Sequence, residues 1–480
     1  MKSTTWALLA SSLIASTNGL NLQKRSDGPA RVISMSTERR KIDNPAQRDR
    51  LRRRTGAVSA SLDNEETLYF VNATIGTPAQ SLRLHLDTGS SDLWVNTPSS
   101  TLCKGTSQSC AFAGTYTANS SSTYEYVGSW FNISYVDGSG ASGDYVTDTF
   151  TIGTGNSSTT LDSLQFGIGY TSSSSQGILG IGYTVNEVQV GRAGKSAYNN
   201  LPAQMVADGV IQSNAYSLWL NDLDASTGSI LFGGVDSDRY TGTLETLPVQ
   251  KQAGVYSEFL ITLTEIKLGD TTLASDMALA VLLDSGSSLT YLPDDIVQTI
   301  YDTVGATYDS SEGVAYVPCS LAETTNSSII YTFSTPVINV TASELVLDLV
   351  TSSGKRPTFR NGQTACLFGI APAGSGTNVL GDTFLRSAYV VYDLANNEIS
   401  LAQTKFNVST SNVQEISTGT TSVPGAATIA NAVAATSGLT VISSSSNDAE
   451  SAAPPLLVGG IAAAAALVSS TVIGLGLILV

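Results

Sequence analysis

The chain has 480 residues, 42% of them apolar, and a formal net charge of -16. That length is too great for one ordinary core, so two or more units are expected. The negative charge excludes a nucleic-acid-binding surface, and richness in Gly, Ser and Thr with few Lys or Arg favours a mostly β chain with many turns.

Residues 1–19 read as a secretory signal peptide: Lys2 precedes an apolar run from Trp6 to Ala15, too short to span a bilayer. Residues 20–54 form a basic pro-segment. From Leu20 to Arg54 there are eleven basic and four acidic residues, while Thr55 to Val480 carries 12 basic against 36 acidic ones. A basic leader of +7 before a body of -24 is an asymmetry suited to masking an acidic surface until the leader is removed. Arg52-Arg53-Arg54 is the preferred cleavage point for a kexin-like processing protease, with Arg39-Arg40-Lys41 and Lys24-Arg25 as further candidates.

From residue 55 to 406 short alternating runs, such as Leu82-Arg83-Leu84-His85-Leu86 and Tyr389-Val390-Val391-Tyr392, are divided by Gly, Asn, Asp and Ser. This is the pattern of strands and turns. Only Ala203–Asp208 and Pro293–Val304 read as helices. The region splits into two similar units, 55–245 and 246–406, because a signature recurs. Leu84-His85-Leu86-Asp87-Thr88-Gly89-Ser90-Ser91 returns as Val281-Leu282-Leu283-Asp284-Ser285-Gly286-Ser287-Ser288. Gly180, in Ile178-Leu179-Gly180-Ile181, follows Asp87 by 93 residues, and Gly381, in Val379-Leu380-Gly381-Asp382, follows Asp284 by 97. Each Asp is delivered by an apolar strand into a Gly turn whose hydroxyls and amides can hold a carboxylate. Two facing turns would set two carboxylates side by side. Like charges that close do not both ionise easily, so they share a proton, one serving as general base and the other as acid.

Four Cys in a secreted chain imply disulfides. Three pairings are possible, and local closure favours Cys103–Cys110 with Cys319–Cys366. Asn-x-Ser/Thr sequons stand at Asn72, Asn119, Asn132, Asn156, Asn326, Asn339 and Asn407. Residues 407–447 read as a disordered, O-glycosylated stalk, since sixteen of the 38 residues from Ser409 to Ser446 are Ser or Thr. Small residues around Asn447 and an apolar tail to Val480, with no charge after it, fit a glycosylphosphatidylinositol signal over 448–480. Asn447 is then the attachment residue, with Ser445 and Ser446 as neighbours that could serve. A plain C-terminal membrane helix is the alternative.

Asp87-Thr88-Gly89-Ser90-Ser91-Asp92-Leu93-Trp94-Val95 and Asp284-Ser285-Gly286-Ser287-Ser288 resemble the two active-site motifs of pepsin-like aspartic proteases. The resemblance covers residues 68 to 403. It implies a mostly β, bilobal fold with a central cleft, and catalysis by Asp87 and Asp284 through an activated water. Ser90 and Ser287 would support the carboxylates, and no cofactor or metal would be needed. The shared-proton behaviour is itself the known property of that family. Phe131-Asn132-Ile133-Ser134-Tyr135-Val136-Asp137-Gly138-Ser139-Gly140 resembles the family's flap hairpin, with Tyr135 as its tyrosine and Trp94 as the tyrosine's partner. Within the flap, Asp137 and Gly138 would face substrate, and Asp137 would read a basic residue; its other reading is a turn Asp capping its own backbone.

The whole-chain plan resembles the anchored fungal yapsins. That implies a monomeric endopeptidase at the plasma membrane or cell wall, acting on polypeptides after Lys or Arg with an acidic optimum. The competing expectation is a non-catalytic cell-wall or binding protein on the same scaffold, but such scaffolds lose an Asp or the flap Tyr. With His85 the sole His, neither a zinc site nor a Ser-His-Asp triad can be assembled convincingly.

Overall fold

The computed structural model describes residues 31–42, 66–105, 109–135, 139–153, 158–324, 327–349 and 355–439. Among them the expected bilobal β architecture is present. One fourteen-stranded sheet runs through both halves, and sheets of five, four and four strands complete the second half.

The repeat in sequence is a repeat in topology. The strand Gln80–Asp87 pairs antiparallel with Glu66–Ile75 and parallel with Gly177–Gly180, in a register that sets Asp87 opposite Gly180. Likewise Leu279–Leu283 pairs antiparallel with Leu260–Leu263 and parallel with Val379–Leu380. Leu82, Leu84 and Leu86 are buried on one face of the first strand, and Leu279 to Leu283 are buried throughout. A strand covered on both faces reads as a continuous apolar run, which is what Leu279–Leu283 is. His85 is buried against the Phe70 ring, 5.8 Å between centroids, and acts as part of the wall.

The two expected helices occur at Leu201–Ala207 and Asp294–Val304. The second begins with Asp294 and Asp295 in its first turn and ends on Gly305 at φ 71°, the left-handed cap that glycine takes with least strain. Both expected disulfides, Cys103–Cys110 and Cys319–Cys366, are formed.

Two expected boundaries fall inside or beside strands, and one expected segment is corrected. The division at 245/246 falls inside the strand Tyr240–Pro248, which belongs to the sheet shared by both lobes. Part of the segment expected to be a pro-segment is a strand of that sheet: Ile33–Ile42 lies between Thr227–Phe232 and Glu66–Ile75, antiparallel to both, with Met35 and Thr37 buried. The backbone of Arg39-Arg40-Lys41 is therefore held in a ladder rather than presented to a processing enzyme; Arg54 and Lys24-Arg25 lie outside the described residues. The expected disordered stalk is instead a folded strap as far as Leu439. Val413–Glu415 pairs with Gly234–Asp236, Ala426–Thr428 pairs with Tyr240–Pro248, and Ser437 bridges Leu279. The cause is a sparse set of apolar side chains. Val413, Ile416 and Val423 are buried against Val235, Tyr240 and Tyr389, and sparse anchors of this kind are lost in a composition count.

Among the described residues no helix is long and apolar enough to cross a membrane. The signal segment 1–19, Asn447 and the tail 448–480 lie outside them.

Candidate active site

Each strand that carries a signature Asp ends in a turn that wraps its own carboxylate. Gly89 N donates to Asp87 Oδ1 at 2.9 Å and Ser90 Oγ to Asp87 Oδ2 at 2.6 Å. In the second lobe Gly286 N donates to Asp284 Oδ1 at 2.7 Å and Ser287 Oγ to Asp284 Oδ2 at 2.7 Å. The same two bonds recur in each turn, one from the glycine amide and one from the serine hydroxyl.

The turns face each other across the lobe boundary. A Cβ on Gly89 would lie 2.5 Å from Asp284 Oδ1, and one on Gly286 would lie 2.4 Å from Asp87 Oδ1. Each carboxylate thus rests on the other lobe's glycine, and only a residue without a side chain admits that approach. Asp87 is 2% exposed and Asp284 9%.

Beneath them the turns are cross-tied. Thr88 Oγ1 donates to Leu283 O at 2.9 Å and Ser285 Oγ to Leu86 O at 3.0 Å. Thr88 N donates to Ser285 Oγ at 3.1 Å, and Ser285 N to Thr88 Oγ1 at 2.9 Å. Behind the turns pack the two recurrent glycines. A Cβ on Gly180 would meet Asp92 N at 2.6 Å, and one on Gly381 would meet Ser287 O at 2.3 Å.

Tyr135 follows the strand Glu125–Ser134, and its N donates to Ser139 O at 2.8 Å, closing the hairpin toward Gly140–Ile152. Trp94 Nε1 donates to Tyr135 Oη at 2.6 Å, the pairing expected from the sequence. Asp137 and Gly138 lie outside the described residues. Asn72, Asn119, Asn132, Asn339 and Asn407 are exposed, while Asn156 and Asn326 are outside the described residues.

Sequence reasoning missed a brace beneath the flap. Asp92 is buried and accepts from Tyr145 Oη at 2.6 Å, Tyr198 Oη at 3.0 Å and Val188 N at 2.9 Å. Burial raises its pKa, and these hydrogen bonds oppose the rise. Glu187, 1% exposed, accepts from Tyr198 N at 2.8 Å through Oε2, while its Oε1 is buried with no hydrogen-bond partner. Burial pushes the Glu187 carboxyl up to about 10, with Asp92 adding to the rise and the Tyr198 amide opposing it. One turn later Arg192 donates to Asn132 O at 2.9 Å and Ser134 Oγ at 3.0 Å, tying this segment to the flap strand. Asp92 stood inside a quoted motif and could have been singled out. Glu187 had no local signal.

Among the described residues the cluster closest to a metal-ligand set is Cys319, Asp348 and Cys366, and its two sulfurs are joined in a disulfide.

Residues 68–404 match the eukaryotic aspartyl protease family. The chain is 60% identical to a probable aspartic-type endopeptidase of Aspergillus oryzae, over 87% of this chain and 85% of the relative. It is 39% identical to secreted aspartic protease 8 of Candida albicans, over 74% of this chain and 80% of the relative. Among solved structures, the aspartic proteinase of Irpex lacteus aligns at a TM-score of 0.58 and 23% identity. That alignment covers 79% of this chain and all of the other, and it supports the fold.

Proposed function

The chain belongs to the eukaryotic aspartyl protease family and is an aspartic-type endopeptidase; we propose that Asp87 and Asp284 are its catalytic pair. The observation that carries this is the reciprocal seating of each carboxylate on the other lobe's turn glycine. Two carboxylates so placed can hold one water. The ionised one takes a proton from it as the oxygen attacks the scissile carbonyl, and the protonated one donates to the carbonyl oxygen. The tetrahedral species then collapses as a proton passes to the leaving amine. No covalent intermediate forms. Ser90 and Ser287 fix the outer carboxylate oxygens, and Tyr135, held by Trp94, lowers over the substrate. Activity is expected at acid pH, because ionising both carboxylates removes the acid.

The chain is further proposed to be secreted, released from its basic leader after Arg54 by a kexin-like protease, and held by a lipid at Asn447 at the plasma membrane or wall. Support comes from the apolar run at Trp6–Ala15, the basic cluster, the uncharged tail and the secreted Candida albicans relative. A preference for cleavage after Lys or Arg is proposed on Asp137 and the acidic body. The deciding experiment is hydrolysis of a peptide library by the processed protein, with Asp87→Ala beside it and pepstatin added to the wild type. Loss of turnover in both is expected. Full activity in Asp87→Ala would sink the mechanism. Release from membranes by a phosphatidylinositol-specific phospholipase tests the anchor.

A further inference from the structure

A second acidic group stands beside the catalytic pair, in the other lobe from the flap. Phe259 O accepts from Leu283 N at 3.1 Å, which brings the chain just before Leu260–Leu263 level with the end of the second catalytic strand. Glu258 is the next residue back and Asp284 the next residue on. Past the Leu260↔Leu282 pair, where the ladder ends, Glu258 stays near Asp284: burial raises the pKa of the Glu258 carboxyl, the hydrogen bond from Gln252 opposes the rise, and the Asp284 charge adds to it.

The same position in the first repeat, from the Val71↔Leu84 register, is Leu68, fully buried and paired with Arg40 of the N-terminal strand. The two lobes therefore differ at one point. Where the first has a buried leucine under a strand, the second has a half-buried glutamate under a hairpin. The hairpin turns at Ala253-Gly254, both at positive φ, and closes with Gln252 N to Val255 O at 2.9 Å. Gln252 reaches back and donates to Glu258 Oε2, which fixes the carboxylate.

A cavity of about 380 Å³ adjoins this hairpin. Tyr183, Thr184 and Val185 of the first lobe line it, with Gly254, Val255 and Tyr256 of the second. Tyr183 follows closely on Gly180, the partner of Asp87, and its ring lies 5.2 Å from Phe259. The cavity is thus lined from both lobes. Lys251, the cation on its rim, lies 4.7 Å from the Tyr256 ring.

We propose that Glu258 is a specificity-determining residue that selects a basic side chain at one substrate position flanking the cleaved bond, other than the residue preceding it. A glutamate serving only to hold the hairpin could be a glutamine, and the first lobe shows that this position tolerates an apolar side chain. A half-buried carboxylate costs desolvation there, and an incoming ammonium or guanidinium offsets that cost. This inference rests on the endopeptidase reading above and deepens it.

The test uses the processed protein with matched peptides in which each of the six positions around the scissile bond is in turn Lys, Glu or norleucine. For wild type, one position beyond the residue preceding the bond should favour Lys. In Glu258→Gln the Lys-to-norleucine ratio of kcat/KM at that position alone should fall about tenfold, the scale of one charge-assisted hydrogen bond. In Glu258→Lys it should invert in favour of Glu. A ratio unchanged within twofold in both variants overturns the proposal, as does a fall shared by all six positions. Wild type that cleaves the norleucine peptides without any such preference overturns it while leaving proteolysis intact; wild type that cleaves nothing removes the endopeptidase reading, and the proposal falls with it.

Discussion

Replacing Glu187 by Gln should stabilise the enzyme at neutral pH and leave it unchanged at pH 4. The carboxyl is 1% exposed, with an ordinary value of 4.5 and a folded value of about 10. A group raised in this way favours the folded state fully below 4.5, and that contribution is lost as pH rises toward 10. At pH 7 the fold must keep a proton that the unfolded chain has released. Two and a half pH units at about 1.4 kcal/mol each give an upper figure of roughly 3.5 kcal/mol, and about 3 kcal/mol is taken forward. Glutamine keeps the acceptor for Tyr198 N and never ionises, so that loss disappears. For two lobes of this size, about 3 kcal/mol corresponds to a rise in Tm of roughly 4 °C. The assay is thermal unfolding of wild type and Glu187→Gln at pH 4, 5.5 and 7. A difference that does not widen with pH, or a variant equally destabilised at every pH, refutes the reasoning.

Gly286→Ala, whose Cβ would fall 2.4 Å from Asp87 Oδ1, should lower kcat at least about a hundredfold while the protein still folds; near-normal kcat would contradict the reciprocal seating. Trp94→Phe removes the donor to Tyr135 and should cost about tenfold in kcat/KM, read by steady-state kinetics, with a smaller effect once Tyr135 is already Phe. Truncation after residue 406 exposes the contacts of Val413, Ile416 and Val423 and should lower stability by about 1.5–3 kcal/mol for each buried side chain. An unmoved urea midpoint would show the strap to be dispensable.

The two Asp turns were legible because their pattern is local and stated twice. A strand, an Asp, a Gly and a hydroxyl occupy eight consecutive residues, and the second copy fixes the meaning of the first. Tyr135 was legible through the alternating hairpin around it. The strand Ile33–Ile42 was not, because Arg39-Arg40-Lys41 reads as solvated charge and its partners lie about 30 and 190 residues away. The strap was hidden for the same reason, its few anchors being spread among Ser and Thr. Glu187 and Glu258 are ordinary glutamates in one dimension. Only the packing of Tyr198 over one, and of Leu283 beside the other, gives them an unusual environment.

The four cross-ties beneath Asp87 and Asp284 have the symmetry of a two-fold axis. Thr88 gives its side chain to the carbonyl before Asp284, and Ser285 gives its own to the carbonyl before Asp87. Each backbone amide takes the other's hydroxyl. Exchanging the lobes leaves this set of bonds unchanged. Such an interface is isologous, the kind formed by two copies of one subunit about a two-fold axis. Two identical lobes, each carrying one such turn, would make the same four bonds about a two-fold axis. Glu258 against Leu68 is a departure from that symmetry that two identical copies could not show.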